Sequence, residues 1–150
     1  MRVCLDSNIL AYAEGVNTEE ERTLAISVVS QLPPDTVVPV QVLGELFNVL
    51  TRKAGRTPHE ARTALLGWQD AFTTVDTSPE VISMAADLAA DHGIGIWDAV
   101  IVSAASTAGC RLLLSEDLQD GFTWAGVTIT NPFAATRHPL LEGLIEDSAP

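Results

Sequence analysis

Four acids sit beside apolar runs: Asp6 in VCLDSN, Glu45 in QVLGELFNVL, Asp98 in GIGIWDAVIV and Asp117 in LLLSEDLQD. A solvated acid needs no apolar neighbours. A buried one is costly unless it keeps its proton or meets a cation. Carboxylates so far apart in sequence, each next to a stretch suited to the core, point to one shared site. Its simplest form is a divalent-metal site. Several carboxylates within a few ångströms of one another stay ionised only with a compensating charge. Hard oxygen donors favour Mg²⁺ or Mn²⁺ over zinc or copper. The histidines support this choice, because His59, His92 and His138 make no zinc-ligand spacing.

Each acid also has a plainer explanation. Asp6 follows a buried strand and precedes a helix, so N-capping or an Asx-turn would account for it. Glu45 shares a helical arc with Gln41, Asn48 and Arg52, opposite Leu43, Leu46, Phe47 and Leu50. That polar stripe suits either solvent or a cleft. Asp98 is the strongest of the four. Ile101, Val102 and Ala105 share its helix face, whereas Ser103, Ser106 and Thr107 cluster on another. A helix N-terminus favours an Asp, but it does not explain apolar companions. Asp117 lies in Ser115-Glu116-Asp117 with Asp120 three residues on, and a solvated acidic turn is its alternative.

The elements that must position these acids alternate along the chain. Arg2 to Leu5 reads as a buried strand, followed by a turn at Asp6-Ser7-Asn8 and a short helix through Tyr12. Thr18 to Leu32 is helical, with a capping box between Thr18 and Glu21. Pro33-Pro34-Asp35 stops it, and Thr36 to Val38 forms a strand. Helices follow from Val40 to about Ala54 and from Thr57-Pro58 to about Ala71. Phe72 to Val75 is a third strand, then a helix runs from Ser78-Pro79-Glu80 to His92-Gly93. The Ala-rich helix from about Trp97 to Ala108 leads to strands Arg111 to Leu114 and Val127 to Thr130. Strands separated by helices predict a mostly parallel, five-stranded sheet covered on both faces, an α/β/α sandwich. Ligands in such folds bind off the carboxyl ends of the strands. Asp6 and Asp117 stand at two such ends.

One domain accounts for the chain, given 150 residues and 47% apolar content. Residues 1–133 form the expected domain and 134–150 an extension. Leu140, Leu141, Leu144 and Ile145 in the extension could pack on the domain or on a partner, and Ser148-Ala149-Pro150 is expected to fray. No apolar run is long enough to span a bilayer. The N-terminus goes straight into an alternating pattern without a secretory h-region, so a cytoplasmic location is expected. Cys4 and Cys110 make no CxxC or Cys/His cluster and read as reduced, buried thiols. Eight basic residues against twenty acidic ones leave a formal net charge of -12. This excludes a surface that grips nucleic acid all over. Arg52, Lys53, Arg56 and Arg62 cluster just after the Glu45 segment, as either a phosphate-facing patch or a solvated helix end.

LDSNIL, VLGELFNVL, IWDAVIVSAA and LLLSEDLQDG followed by GVTITNPF together resemble the PIN domain, especially its VapC-like toxin members. The resemblance runs from about Met1 to Phe133. It implies a Rossmann-like three-layer fold and a Mg²⁺- or Mn²⁺-dependent ribonuclease. It also implies a homodimer held inactive by a VapB-like antitoxin. Carried over, Asp6, Glu45, Asp98 and Asp117 match the four acids of the family. Ser115 matches its small hydroxyl residue and Asn8 the Asn after the first acid. Many VapC-like members have Asn where Asp117 stands and an acid where Asp120 stands. Close relatives often carry His at the Asp120 position, and Glu116 adds another acid.

On this reading Asp6 and Asp98 bind the metal, Asp117 completes or bridges the site, and Glu45 orients or deprotonates water or helps hold a second metal. Arg52, Lys53 and Arg56 would steer RNA phosphates. Two alternatives stand beside it. One is a catalytically weak PIN-like module that binds metal, RNA or protein, which the net charge favours. The other is a phosphatase or phosphotransferase, which usually has an Asp two residues after the strand-ending Asp, where this chain has Asn8.

Overall fold

The computed structural model describes residues 1–146. Its elements run β1 (Val3–Leu5), α1 (Ser7–Ala13), α2 (Glu19–Ser30), β2 (Val37–Pro39), α3 (Val40–Arg52), α4 (Pro58–Ala71), β3 (Thr73–Val75) and α5 (Pro79–His92). Then come α6 (Ile96–Thr107), β4 (Leu112–Leu114), β5 (Thr123–Trp124), β6 (Val127–Thr130) and α7 (Pro139–Glu146). The strands form one six-stranded sheet in the order β3-β2-β1-β4-β6-β5, parallel throughout except for β5. The helices pack in two groups, α1 to α4 and α5 with α6, and α6 also lies against β2, β4 and β6. This is the expected α/β fold.

The central strands are apolar because both of their faces are covered: VCL, VVP and LLL are buried at every residue. Register sets Val3 beside Leu112, Cys4 beside Leu113 and Leu5 beside Leu114. From β1 the chain crosses to β2 on one side, and β4 later joins β1 on the other. The strand order therefore reverses between β1 and β4. At such a switch point the segments beyond neighbouring strand ends diverge and leave a crevice. Asp6 and Ser115 are the residues that step into it.

Local signals explain most boundaries. Thr57 and Glu60 form a full capping box, with Pro58 opening α4. The box expected at Thr18 is one-sided. Its hydroxyl accepts from the Glu21 amide, but Glu21 takes that same hydroxyl's proton instead of reaching back to the Thr18 amide. Gly93 ends α5 in the left-handed region at φ 69°, where a residue with a Cβ is strained.

The expected five strands become six, because β5 pairs with β6 through a two-residue turn at Ala125-Gly126. Both turn residues have positive φ, 48° and 82°, the geometry of a tight hairpin that fits the sheet twist. At the other end of the chain, Leu141 and Ile145 of α7 join the main buried cluster, so the C-terminal segment packs on the domain. Cys4 and Cys110 are buried and unbridged. Fraying of Ser148-Ala149-Pro150 falls outside the described residues. Among the described residues, no helix is long and apolar enough to cross a membrane.

Candidate active site

Asp6 is the buried acid, only 4% exposed at the end of β1. Its backbone continues the ladder by donating to Leu114 O at 3.0 Å. It caps α1 as well, with Oδ1 accepting from the Ser7 amide at 2.7 Å. Oδ2 accepts the Ser115 hydroxyl at 2.7 Å and the Asn8 side-chain amide at 3.3 Å. Capping and site membership are therefore not alternatives here, since one oxygen serves each. Burial pushes the Asp6 carboxyl up to about 6. The Ser115 and Ser7 hydrogen bonds pull the other way, and the charges of Glu45 and Asp117 add to the rise.

Asn8 and Ser115 knit the two strand ends together. The Asn8 amide nitrogen donates toward Asp6 Oδ2, Ser115 Oγ and Asp117 Oδ2, each at 3.3 Å. Its oxygen accepts from the Glu116 amide at 3.1 Å. The Ser115 hydroxyl, fully buried, also accepts from the Leu118 amide at 3.3 Å. Asp117 itself is exposed.

The other acids of this loop face elsewhere. Glu116 accepts the Tyr12 hydroxyl at 3.0 Å, and Asp120 accepts the Asn131 amide at 3.0 Å. Asp117, which shares the Asn8 amide with Asp6, is thus the nearer of Asp117 and Asp120 to the strand-end acids.

Glu45 and Asp98 approach from α3 and α6. The Gln41 side chain donates both to Glu45 Oε1 and to the Trp97 carbonyl, each at 3.0 Å. It clamps the first turn of α6 to the Glu45 face of α3. Asp98 differs from the sequence-based expectation. It lies exposed on that first turn, while the apolar run of its helix is buried only from Ala99 onward. Periodicity identified the buried side of the helix but not how deep its first turn sits. The Asp98 carboxyl is nonetheless raised, first by partial loss of solvent and then by the charges of Glu45 and Asp117. Glu45 and Asp117 thus act on both Asp6 and Asp98.

The basic cluster divides. Lys53 lines a hollow that Asn8 and Asp117 also line. Arg52 and Arg62 are exposed. Arg56 turns inward, donating to the Glu14 carboxylate at 2.7 Å and to the Glu14 carbonyl, and the Trp68 indole donates to the same carboxylate at 2.9 Å. This buttress was not legible beforehand, because Glu14 lies 42 residues from Arg56 in sequence. Arg56, grouped by the sequence with Arg52 and Lys53, is thus paired with Glu14.

Among the described residues, no three His, Cys, Asp or Glu side chains converge as a ready-made metal cage. The donor set itself suits a hard cation. It consists of mutually repelling oxygens, one of them buried and pushed toward protonation.

A PIN domain family profile matches residues 3–120. The chain belongs to the PIN domain family. Solved structures share its fold at low identity. One is the toxin-antitoxin complex from Klebsiella pneumoniae, at 18% identity and TM-score 0.66 over 87% of this chain and 98% of that one. VapC20 of Mycobacterium tuberculosis, described as a sarcin-ricin loop cleaving toxin, superposes at TM-score 0.63 with 16% identity over 74% and 86% of the two chains. FitAcB from Neisseria gonorrhoeae gives 0.64 with 16% identity over 87% and 98%. No curated protein matches the sequence of this PIN domain.

Proposed function

We propose that this PIN domain protein is a metal-dependent endoribonuclease and the toxin of a toxin-antitoxin pair, working as a homodimer restrained by a VapB-like antitoxin. The observation that carries the catalytic part is that the charges of Glu45 and Asp117 reach both Asp6 and Asp98, four acids drawn from separate segments of the chain. The toxin-antitoxin complexes among its structural neighbours support the rest.

Asp6, Asp98 and Asp117 would hold Mg²⁺ or Mn²⁺. When bound, such an ion lowers the pKa of a coordinated water and offsets charge on the scissile phosphate. Ser115 and Asn8 keep Asp6 oriented, and the Ser115 hydroxyl favours its ionised form. Glu45, held by Gln41, accepts the proton of the attacking water. Lys53 and Arg52 offset the repulsion between the RNA backbone and the acidic rim. In-line hydrolysis leaves a 5′-phosphate and a 3′-hydroxyl.

The test is Asp98→Asn, which should abolish metal-dependent RNA cleavage while leaving the thermal midpoint equal or higher. Undiminished cleavage by that variant would sink the assignment. A second reading, a PIN module that binds without turnover, is favoured by the net charge of -12. Calorimetric Mn²⁺ binding with no cleavage of structured or unstructured RNA would select it.

A further inference from the structure

Two hollows border the acids. One, of about 150 Å³, lies among Asn8, Asn17, Lys53 and Asp117 over an apolar floor that includes Val16 and Val49. The other, a more open groove of about 430 Å³, is bounded by Gln41, Glu45, Asn48 and Trp97. Asp117 walls the first and Glu45 the second, and Asp98 lies within electrostatic reach of both. A strand crossing the acids therefore has a hollow beside Asp117 and another beside Glu45.

Trp97 is 60% exposed, more than any other large hydrophobic side chain among the described residues. It is not on a loose loop, because Gln41 fixes its carbonyl and Glu45 together. It shares the groove with Gln41, Gly44, Glu45 and Asn48, so it offers a ring face beside polar side chains. Affinity for RNA in most proteins comes from phosphate neutralisation. A chain with net charge -12 and an acidic rim has little of that to give. Its affinity has to come from the uncharged part of the nucleotide, and every base presents a π-face that an aromatic side chain can stack on. The smaller hollow complements this. A cavity of that volume admits a single six-membered ring, and Lys53 at its wall supplies a cation beside Asp117.

We propose that the two hollows hold the nucleotides flanking the scissile phosphodiester of an unpaired RNA strand, a pyrimidine base in the Lys53 hollow and a base of either kind stacked on Trp97. This rests on the ribonuclease reading, and the experiment separates the two. The full chain carrying Asp98→Asn is titrated with fluorescein-labelled single-stranded hexaribonucleotides, uridine-rich or adenosine-rich, and with a duplex of the same sequence. Anisotropy and tryptophan quenching are read.

Single strands should bind with quenching, the uridine-rich one more tightly, and the duplex weakly. Adding Trp97→Ala should weaken single-strand binding about five- to a hundred-fold, whereas Trp97→Phe should keep most of it. Lys53→Ala should reduce the preference for uridine. Trp97 and Lys53 are exposed, so an unchanged thermal midpoint is expected for each variant. Equal binding of duplex and single strand with no effect of Trp97→Ala would overturn the proposal. So would a dimer that Trp97→Ala dissociates in sedimentation while binding falls in step, since the surface would then be a contact between copies. If the wild-type chain cleaves RNA indifferently to both substitutions, the nuclease stands and the two subsites fall. If it binds as described without cleaving, the subsites stand and the nuclease falls.

Discussion

At the residue scale, Asp6 sets the electrostatic character of the rim. Its carboxyl is displaced from 3.8 to about 6, with burial as the leading cause. Below about pH 4 both folded and unfolded chains hold it protonated. Between about 4 and 6 only the folded chain does, so the folded state binds more protons and stability falls as pH rises through that window. A displacement of that size corresponds to roughly 3 kcal/mol at most. Metal-free thermal midpoints should therefore decline from pH 4 to 6.5, and Asp6→Asn should flatten the decline. An unchanged slope in that variant would refute the account.

Ser115→Ala removes the hydroxyl that donates to Asp6 Oδ2 at 2.7 Å. A charge-assisted hydrogen bond of this kind is worth about 1.5–3 kcal/mol. The Asp6 titration followed by NMR should move up by about one pH unit or more, and the acidic limb of the cleavage profile should move with it. The Asn8 amide has two protons for three acceptors, each at 3.3 Å. Ser115 already supplies Asp6 with a short bond, so exposed Asp117 is the acceptor most easily released.

At the scale of elements, the sequence showed what carries a repeating signal. The buried triplets VCL and LLL, the Thr57-Pro58 start and the Gly93 stop all follow local rules, and β1 to β4, β6 and α1 to α6 stand within about two residues of their expected places. What it hid depends on tertiary context. The β5-β6 turn uses Ala125 where a hairpin of this geometry normally signals itself with Asn or Gly. A left-handed L-residue costs about 1–2 kcal/mol. Ala125→Gly or Ala125→Asn should accordingly raise stability by about 1 kcal/mol in urea denaturation, and a loss would contradict the turn.

The Glu14 buttress separates two basic residues that looked alike. Arg56→Ala should lower the thermal midpoint by several degrees, because it leaves a half-buried Glu14 short of its cation. Lys53→Ala should leave the midpoint unchanged. A binding loss confined to Arg56→Ala would reverse these assignments.

At the scale of the whole molecule, charge decides how substrate approaches. Proteins that grip six to ten phosphates lose about 10³–10⁵ in affinity as salt rises from about 50 to 200 mM. With a net charge of -12 and few free cations near the acids, long-range repulsion dominates here. Screening it should leave kcat/KM nearly flat, or raise it, over that range. A steep fall would point to an extended basic contact on the molecule. The composition gave this sign directly, and the order of strands and helices gave the convergence of the acids. The depth of each acid was not legible, because hydropathy marks the apolar face of a helix but not where that helix begins relative to the surface. Asp6 is therefore the most buried of the four, and Asp98 is exposed.

The sheet order also fixes when the four acids can first meet in the life of a chain. β4, last to reach the centre, slots between β1 and β6, and it delivers Ser115 and Asp117 to an Asp6 made more than a hundred residues earlier. Contacts of such long separation form late in folding. A chain still being synthesised carries three of the four acids and no assembled rim, so the four come together only once β4 is in place.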